Sequence, residues 1–274
     1  MPEGPEVRRE ADRIGAVLVG QRLEAVTLTP AALRRHAAGL VGREVVTVTS
    51  RGKAMLIGFD DGRTLYSHNQ LYGRWMVSRR GSLPATRRSL RVALHTALGS
   101  ALLYSASSIE LLDADGLVQH PFLARLGPDA LDPALTWPAL ERRLVLPVFS
   151  KRSLGSLYLD QGFLAGIGNY LRSEILFFAR LDPARRPAEL TRTERQRLAR
   201  QSLSITRRAY ATGGITNPPA RVARLRREGL RRGVYRFAVF GRDGRPCHDC
   251  GTVIERRTVA SRRLYVCPRC QGGA

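Results

Sequence analysis

Four cysteines constrain this chain more than any other feature. They occur as Cys247-x-x-Cys250 and Cys267-x-x-Cys270, with residues 251–266 between the pairs. Each pair can offer two thiolates from one tight turn, and two such turns can close a tetrahedron of sulfurs. The spacing therefore predicts one structural zinc ion held by Cys247, Cys250, Cys267 and Cys270. Two disulfides are the alternative, which a cytoplasmic setting disfavours. His248 sits inside the first knuckle, where a complete set of four sulfurs leaves it no coordination place. A segment of roughly forty residues buries little core, so the metal would hold it folded. Residues 252–266 read as a β-hairpin displaying Arg256, Arg257, Arg262 and Arg263, either phosphate-seeking groups or a solvated basic face.

The charge balance narrows the partner. Lys and Arg number 45 against 23 Asp and Glu, a formal net charge of +22 over 274 residues, which makes polyanions the natural partner. No apolar run approaches the ~18 residues of a membrane span, and Glu3 and Glu6 precede any apolar stretch, unlike a secretory signal. The expectation is a cytoplasmic protein that binds nucleic acid and no membrane. Lys occurs only at positions 53 and 151. Its compact, titratable ammonium is not equivalent to a guanidinium near a reacting atom, so Lys53 is a candidate for chemistry. Lys151, beside Arg152, carries a weaker argument.

Three regions follow from patterning. Val7, Ala11, Ile14 and Leu18 form one stripe of an amphipathic helix. Strand-like runs then cover 22–29, 44–59, 64–77, 91–98 and 101–112, with hairpin signals at Asp60-Asp61-Gly62 and Gly99-Ser100. Strands without intervening helices suggest an antiparallel sandwich. From 121 to about 212 the pattern is helical, with prolines near the boundaries. A Gly/Pro cluster leads into the basic stretch 221–232, read as a surface loop or arm, and 235–240 reads as a short strand-like segment. The expected architecture is α+β and multidomain. It comprises a β-sandwich with a flanking helix (1–115), a helical domain (120–220) and a four-cysteine finger (234–274).

By itself Met1-Pro2-Glu3-Gly4-Pro5-Glu6 reads as an irregular cap before a helix. Removal of Met1 would, however, leave Pro2 with a free secondary amine able to attack a sugar carbon and form an iminium, and Glu3 could move protons during that attack.

Together with Arg51-Gly52-Lys53, Gly166-Ile167-Gly168-Asn169-Tyr170 and the terminal cysteines, in this order, the N-terminal hexapeptide resembles the formamidopyrimidine-DNA glycosylase and endonuclease VIII family along nearly the whole chain. The likeness is weakest between about 181 and 232. It implies a β-sandwich, a helix-two-turn-helix domain and a zinc finger, acting on damaged double-stranded DNA as a bacterial, nucleoid-associated monomer. It also implies base excision followed by strand cleavage through β,δ-elimination, with Pro2 as nucleophile, Glu3 as proton carrier, and Lys53 as a cation favouring the unprotonated amine. Asn169, at a Gly-rich helix start with available N–H groups, and Arg262 would hold phosphates. Glu6 and Glu174 occupy family-like positions without an assigned step.

Within the family, Tyr66-Ser67-His68-Asn69-Gln70-Leu71-Tyr72-Gly73 and Tyr104-Ser105-Ala106-Ser107 resemble endonuclease VIII, which acts on oxidised pyrimidines. Gln70, Leu71 and Tyr72 would then fill the gap left by the extruded nucleotide. Without the resemblance, Leu71 and Tyr72 would read as strand core. Two rival expectations are the purine-specific branch, acting on 8-oxoguanine and formamidopyrimidines, and a non-catalytic zinc-ribbon DNA-binding protein.

Overall fold

The computed structural model describes residues 2–272. Met1, whose removal the sequence argument requires, lies outside the described residues. The chain divides into two units, one holding Pro2 and Glu6–Arg125, the other Glu3–Pro5 and the chain from Leu126 onward.

The first unit takes the helix Gly4–Leu18 from Glu6 onward, and the helix leads into eight strands. These are β1 (Ala25–Leu28), β2 (Val45–Arg51), β3 (Ala54–Phe59), β4 (Thr64–His68), β5 (Arg74–Ser78), β6 (Leu90–His95), β7 (Ser100–Tyr104) and β8 (Ser108–Leu112). They form two antiparallel four-stranded sheets, ordered β2-β3-β4-β8 and β1-β6-β7-β5. The helix stripe foreseen from periodicity is buried: Val7, Ala11, Ile14 and Leu18 share one core with Met55, Ile57 and Phe59 of β3 and with Val92, Leu94 and Leu103 of the other sheet. The i, i+2 spacing of Met55, Ile57 and Phe59 puts all three on one face of their strand.

Three long strand-like runs break where the backbone must turn. The 44–59 run divides at Gly52, whose φ of 61° is glycine's territory, and Gly52-Lys53 becomes a two-residue hairpin turn with Arg51 paired to Ala54. The 101–112 run divides at Ser105, φ 53°. The 64–77 run divides between His68 and Arg74, and that interruption carries Gln70, Leu71 and Tyr72.

In the second unit a core of Leu140, Leu144, Leu157, Phe163, Leu171, Ile175, Leu198 and Ile205, among others, binds the helices Trp137–Leu144, Asn169–Phe178 and Arg192–Thr212. The longest of these starts and stops as its sequence dictates. Thr191 accepts from Glu194 N–H while Glu194 accepts from Thr191 N–H, and Gly213 ends the helix at φ 69°. Strands β9 (Glu255–Val259) and β10 (Arg262–Val266) form the expected hairpin. Its core of Val239, Ile254, Tyr265 and Cys267 includes Phe177, so the finger is packed onto the Asn169–Phe178 helix.

Two readings of the sequence are corrected. The 221–232 arm is helical over Pro219–Arg227; the Gly/Pro cluster before it supplies proline at the first helical turn, where a missing N–H costs nothing. Leu225 is buried, and Arg221 bonds Asn217 and pairs with Asp249 in the first cysteine knuckle. The 235–240 segment makes no strand. The N–H groups of Ala238, Val239 and Phe240 all donate to the fully buried Glu174 carboxylate, at 2.8, 2.8 and 2.9 Å. Once a carboxylate satisfies those donors, no neighbouring strand is needed. That gives Glu174 a structural task. Among the described residues no helix is long and apolar enough to cross a membrane.

Candidate active site and nucleic-acid interface

In the second unit, Glu3 is 4% exposed and its carboxylate is seated on the start of the Asn169–Phe178 helix. Gly168 N–H donates to Oε2 at 2.8 Å, Tyr170 N–H to Oε1 at 2.8 Å and Leu171 N–H to Oε2 at 3.3 Å. The first N–H groups of a helix have no intrahelical acceptor and stand at its positive end, so an anion there is favoured twice over. Gly4 N–H donates in turn to Gly166 O at 2.8 Å. The Gly166-Ile167-Gly168 motif thus receives the N-terminal segment. This corrects the expectation that those N–H groups await a phosphate, since the protein's own carboxylate occupies them.

What the helix start offers outward is the Asn169 side chain, and it is held by a residue that sequence reasoning missed. Arg172 is fully buried. Its guanidinium donates to Asn169 Oδ1 at 2.6 Å, to Gly155 O at 2.8 Å, and to Arg263 O and Val259 O on the hairpin at 3.1 and 3.3 Å. Burial, assisted by the Arg262 charge and opposed by Glu3, lowers its pKa to about 10. Arg172 therefore ties the Asn169 helix to both strands of the hairpin beside the turn that displays Arg262. Arg172 and Glu174, charged positions on a helix that also carries Tyr170, Leu171, Ile175, Leu176, Phe177 and Phe178, were the available signal, hidden in a chain with so many arginines.

Arg262 is exposed at the start of β10. The hairpin tip before it uses Ala260 and Ser261 at φ 52° and 59°, a two-residue turn that normally asks for Asn or Gly. The four cysteines form no disulfide among themselves, and their sulfurs all lie within 4.8 Å of one another, with Cys247 and Cys270 3.9 Å and Cys250 and Cys267 3.4 Å apart. A tetrahedral site with metal–sulfur bonds of about 2.3 Å needs sulfurs about 3.8 Å apart. Four sulfurs converging at that separation can hold a metal ion.

In the first unit, Pro2 is partly buried ahead of the first helix and Lys53 is at the tip of the β2–β3 hairpin. Lys53 acts on the adjacent strand: burial lowers the pKa of His68, and the Lys53 charge lowers it further. The neutral imidazole can then accept the Gln70 N–H at Nδ1, 3.1 Å away. Gln70 has φ 46°, and its side chain accepts from Ser107 Oγ at 3.0 Å. Gly73 N–H closes the loop on Asn69 O at 2.7 Å. Arg88 donates to Tyr72 O at 2.6 Å. These ties leave Leu71 and Tyr72 68% and 71% exposed, so they are not strand core. Large apolar side chains on a braced, exposed loop are suited to entering a base stack.

The sequence matches the formamidopyrimidine-DNA glycosylase N-terminal domain over residues 1–107 and the helix-two-turn-helix domain of the same enzymes over 126–218. The chain belongs to this family, whose members are DNA glycosylases with AP lyase activity. It is 46% identical to the protein named Endonuclease 8 of Pectobacterium carotovorum, over 99% of this chain and all of that one, and equally so to Endonuclease 8 of Escherichia coli. The solved MutM (Fpg) protein of Thermus thermophilus superposes with a TM-score of 0.78 at 32% identity, with both chains fully covered. Lactococcus lactis Fpg, solved in complex with DNA containing an abasic site, gives a TM-score of 0.79 at 21% identity over 99% of this chain and all of that one, a likeness of fold.

Proposed function

We propose that this enzyme of base excision repair removes oxidised pyrimidines from double-stranded DNA, with the Pro2 amine as nucleophile. The damaged nucleotide leaves the stack, at a cost of a few kcal/mol that is smaller when the base already stacks poorly. The Pro2 nitrogen bonds to sugar C1′, the C1′–N bond to the base breaks, and Glu3 assists proton transfer to the opening sugar. The resulting iminium acidifies the C2′ hydrogen. Loss of that proton expels the 3′ phosphate, and a further elimination expels the 5′ phosphate. An ordinary α-amino group titrates near 7.7 to 8.0, so the Lys53 cation is read as favouring the unprotonated form. Asn169 and Arg262 grip the flanking phosphates.

The observation that supports this reading most is the seating of Glu3. Three N–H bonds immobilise the residue next to the proposed nucleophile, and such positioning is where much of catalysis comes from. Choice of pyrimidine over purine rests on the Gln70-Leu71-Tyr72 wedge and on the likeness to Endonuclease 8. We read the cysteines as ligands of one structural zinc ion, which would hold the finger and through it Arg262. We divide the chain into working segments 1–115, 120–220 and 234–274, and expect a cytoplasmic monomer.

Borohydride trapping on abasic duplex DNA tests the nucleophile: protein lacking Met1 should form a covalent adduct, and Pro2→Thr, which replaces the secondary amine by a primary one beside a bulkier side chain, should form far less. An undiminished adduct in that variant would overturn the need for the Pro2 amine. Excision from duplexes containing thymine glycol or 8-oxoguanine tests the branch; preference for 8-oxoguanine would favour the purine-specific alternative. Metal analysis of the purified protein should return one zinc per chain.

A further inference from the structure

Glu10 lies on the first helix, and nothing in the reaction described above uses it. Its carboxylate nevertheless touches both ends of the wedge loop. Oε2 accepts from Asn69 Nδ2 at 3.0 Å, immediately before Gln70, and the carboxylate also accepts from the backbone N–H of Trp75, just past the loop. Asn69 is 6% exposed and its Oδ1 has no partner, so this buried amide is held through its NH2, which donates to Glu10.

The position is held against solvation. Burial raises the Glu10 pKa, opposed by Asn69, by Arg13, by the Trp75 N–H and by Arg74. Glu10 also borders a pocket of about 280 Å³ lined by Arg13, Arg74 and Trp75. From that place the carboxylate interacts with both cations as well. Its hydrogen bonds go to the two ends of a loop whose tip, Leu71 and Tyr72, is exposed. The contact joins the residue before the loop to the residue after it.

We propose that Glu10 is a positioning residue that clamps Asn69 and Trp75 together, setting the height and register at which Leu71 and Tyr72 enter the DNA stack. The inference rests on the wedge reading of the loop, and its test separates the two. A wedge acts only where a duplex must be held open, so the clamp matters for duplex substrate and not for a single-stranded oligonucleotide carrying a preformed abasic site.

Glu10→Ala, Glu10→Gln and Leu71→Ala are compared with the parent enzyme on both substrates, with the thermal midpoint of each recorded. Loss of a hydrogen bond to a charged group predicts a fall on the order of tenfold for Glu10→Ala on the duplex. Cleavage of the single strand stays within about twofold of the parent. Glu10→Gln recovers most of the duplex rate, because an amide can accept from Asn69 Nδ2 and donate to the unpartnered Oδ1. An unchanged duplex rate in Glu10→Ala, with Leu71→Ala impaired, overturns the clamp and leaves the wedge intact. Equal losses on both substrates with a lowered midpoint mark Glu10 as a fold residue and also overturn the clamp. If Leu71→Ala shows no duplex-selective loss, the wedge reading fails and takes the clamp with it.

Discussion

The Glu3 carboxyl group fills the space that a side chain on Gly168 would need. A Cβ built on Gly168 would stand 2.5 Å from Glu3 Cδ and 2.6 Å from Oε1, while the Gly168 N–H donates to the same carboxylate. The glycine is required for what it omits.

Gly168→Ala should therefore displace Glu3 without touching any proposed reacting atom. A misplacement of about 1 Å is enough to cost on the order of 10²-fold in rate. Single-turnover excision checks this, and a double-mutant cycle sharpens it. Once Glu3→Ala has removed the carboxylate, adding Gly168→Ala should cost little more, since the two changes act on one contact.

Tyr72→Ala should separate stability from function. An exposed side chain leaves the fold within about 0.5 kcal/mol of the parent, yet excision from duplex DNA should drop by about tenfold or more if a base–aromatic contact of roughly 1–3 kcal/mol is lost. Ile14→Ala is the control of opposite sign, costing about 2–5 kcal/mol in the core with little change in rate for the molecules that remain folded. Thermal unfolding and rate measurements on both variants decide it.

Arg172 predicts a failure that Lys cannot rescue. Arg172→Ala leaves the Gly155 and Arg263 carbonyls and Asn169 Oδ1 short of a donor, a loss of about 3 kcal/mol or more. Arg172→Lys keeps the charge but not the planar fork that spans those acceptors, so urea unfolding should show it nearer to the Ala variant than to the parent. Both should also weaken DNA binding, because Asn169 and the Arg262 hairpin lose their common tether.

His68 gives the loop a pH dependence with a definite sign. Its folded pKa is depressed, first by burial and then by Lys53, below the usual value of about 6.5. A depressed His binds fewer protons folded than unfolded, so its contribution is complete above about 6.5 and is lost as pH falls through the folded value. Protonated Nδ1 cannot accept the Gln70 N–H. In an NMR titration the Gln70 amide should hold its shift down to pH values below 6.5 and then move. Lys53→Met should bring that movement to higher pH, while burial still keeps it under the ordinary His value.

How much was legible in the sequence depended on the distance over which a signal acts. The stripe Val7, Ala11, Ile14 and Leu18 was readable because helical periodicity is local, and the cysteine pairs because two turns of fixed spacing define a ligand set. The 64–77 run reads as one strand because Leu71 and Tyr72 are themselves good strand formers, although Asn69 and Gly73 on either side of them are not. Only the family likeness marked those residues, and only the folded chain lifts them into solvent.

Local patterning by itself determined the strand-rich and helix-rich halves, the terminal cysteine finger and the basic character suited to DNA. Tertiary structure decided where the buried charges go. Glu3 reaches N–H groups 165 and more residues away, Glu174 replaces a strand partner for Ala238 to Phe240, and Glu10 closes on Asn69. A carboxylate's partner is set by which donors folding leaves unsatisfied nearby, and no window of neighbouring residues contains that information.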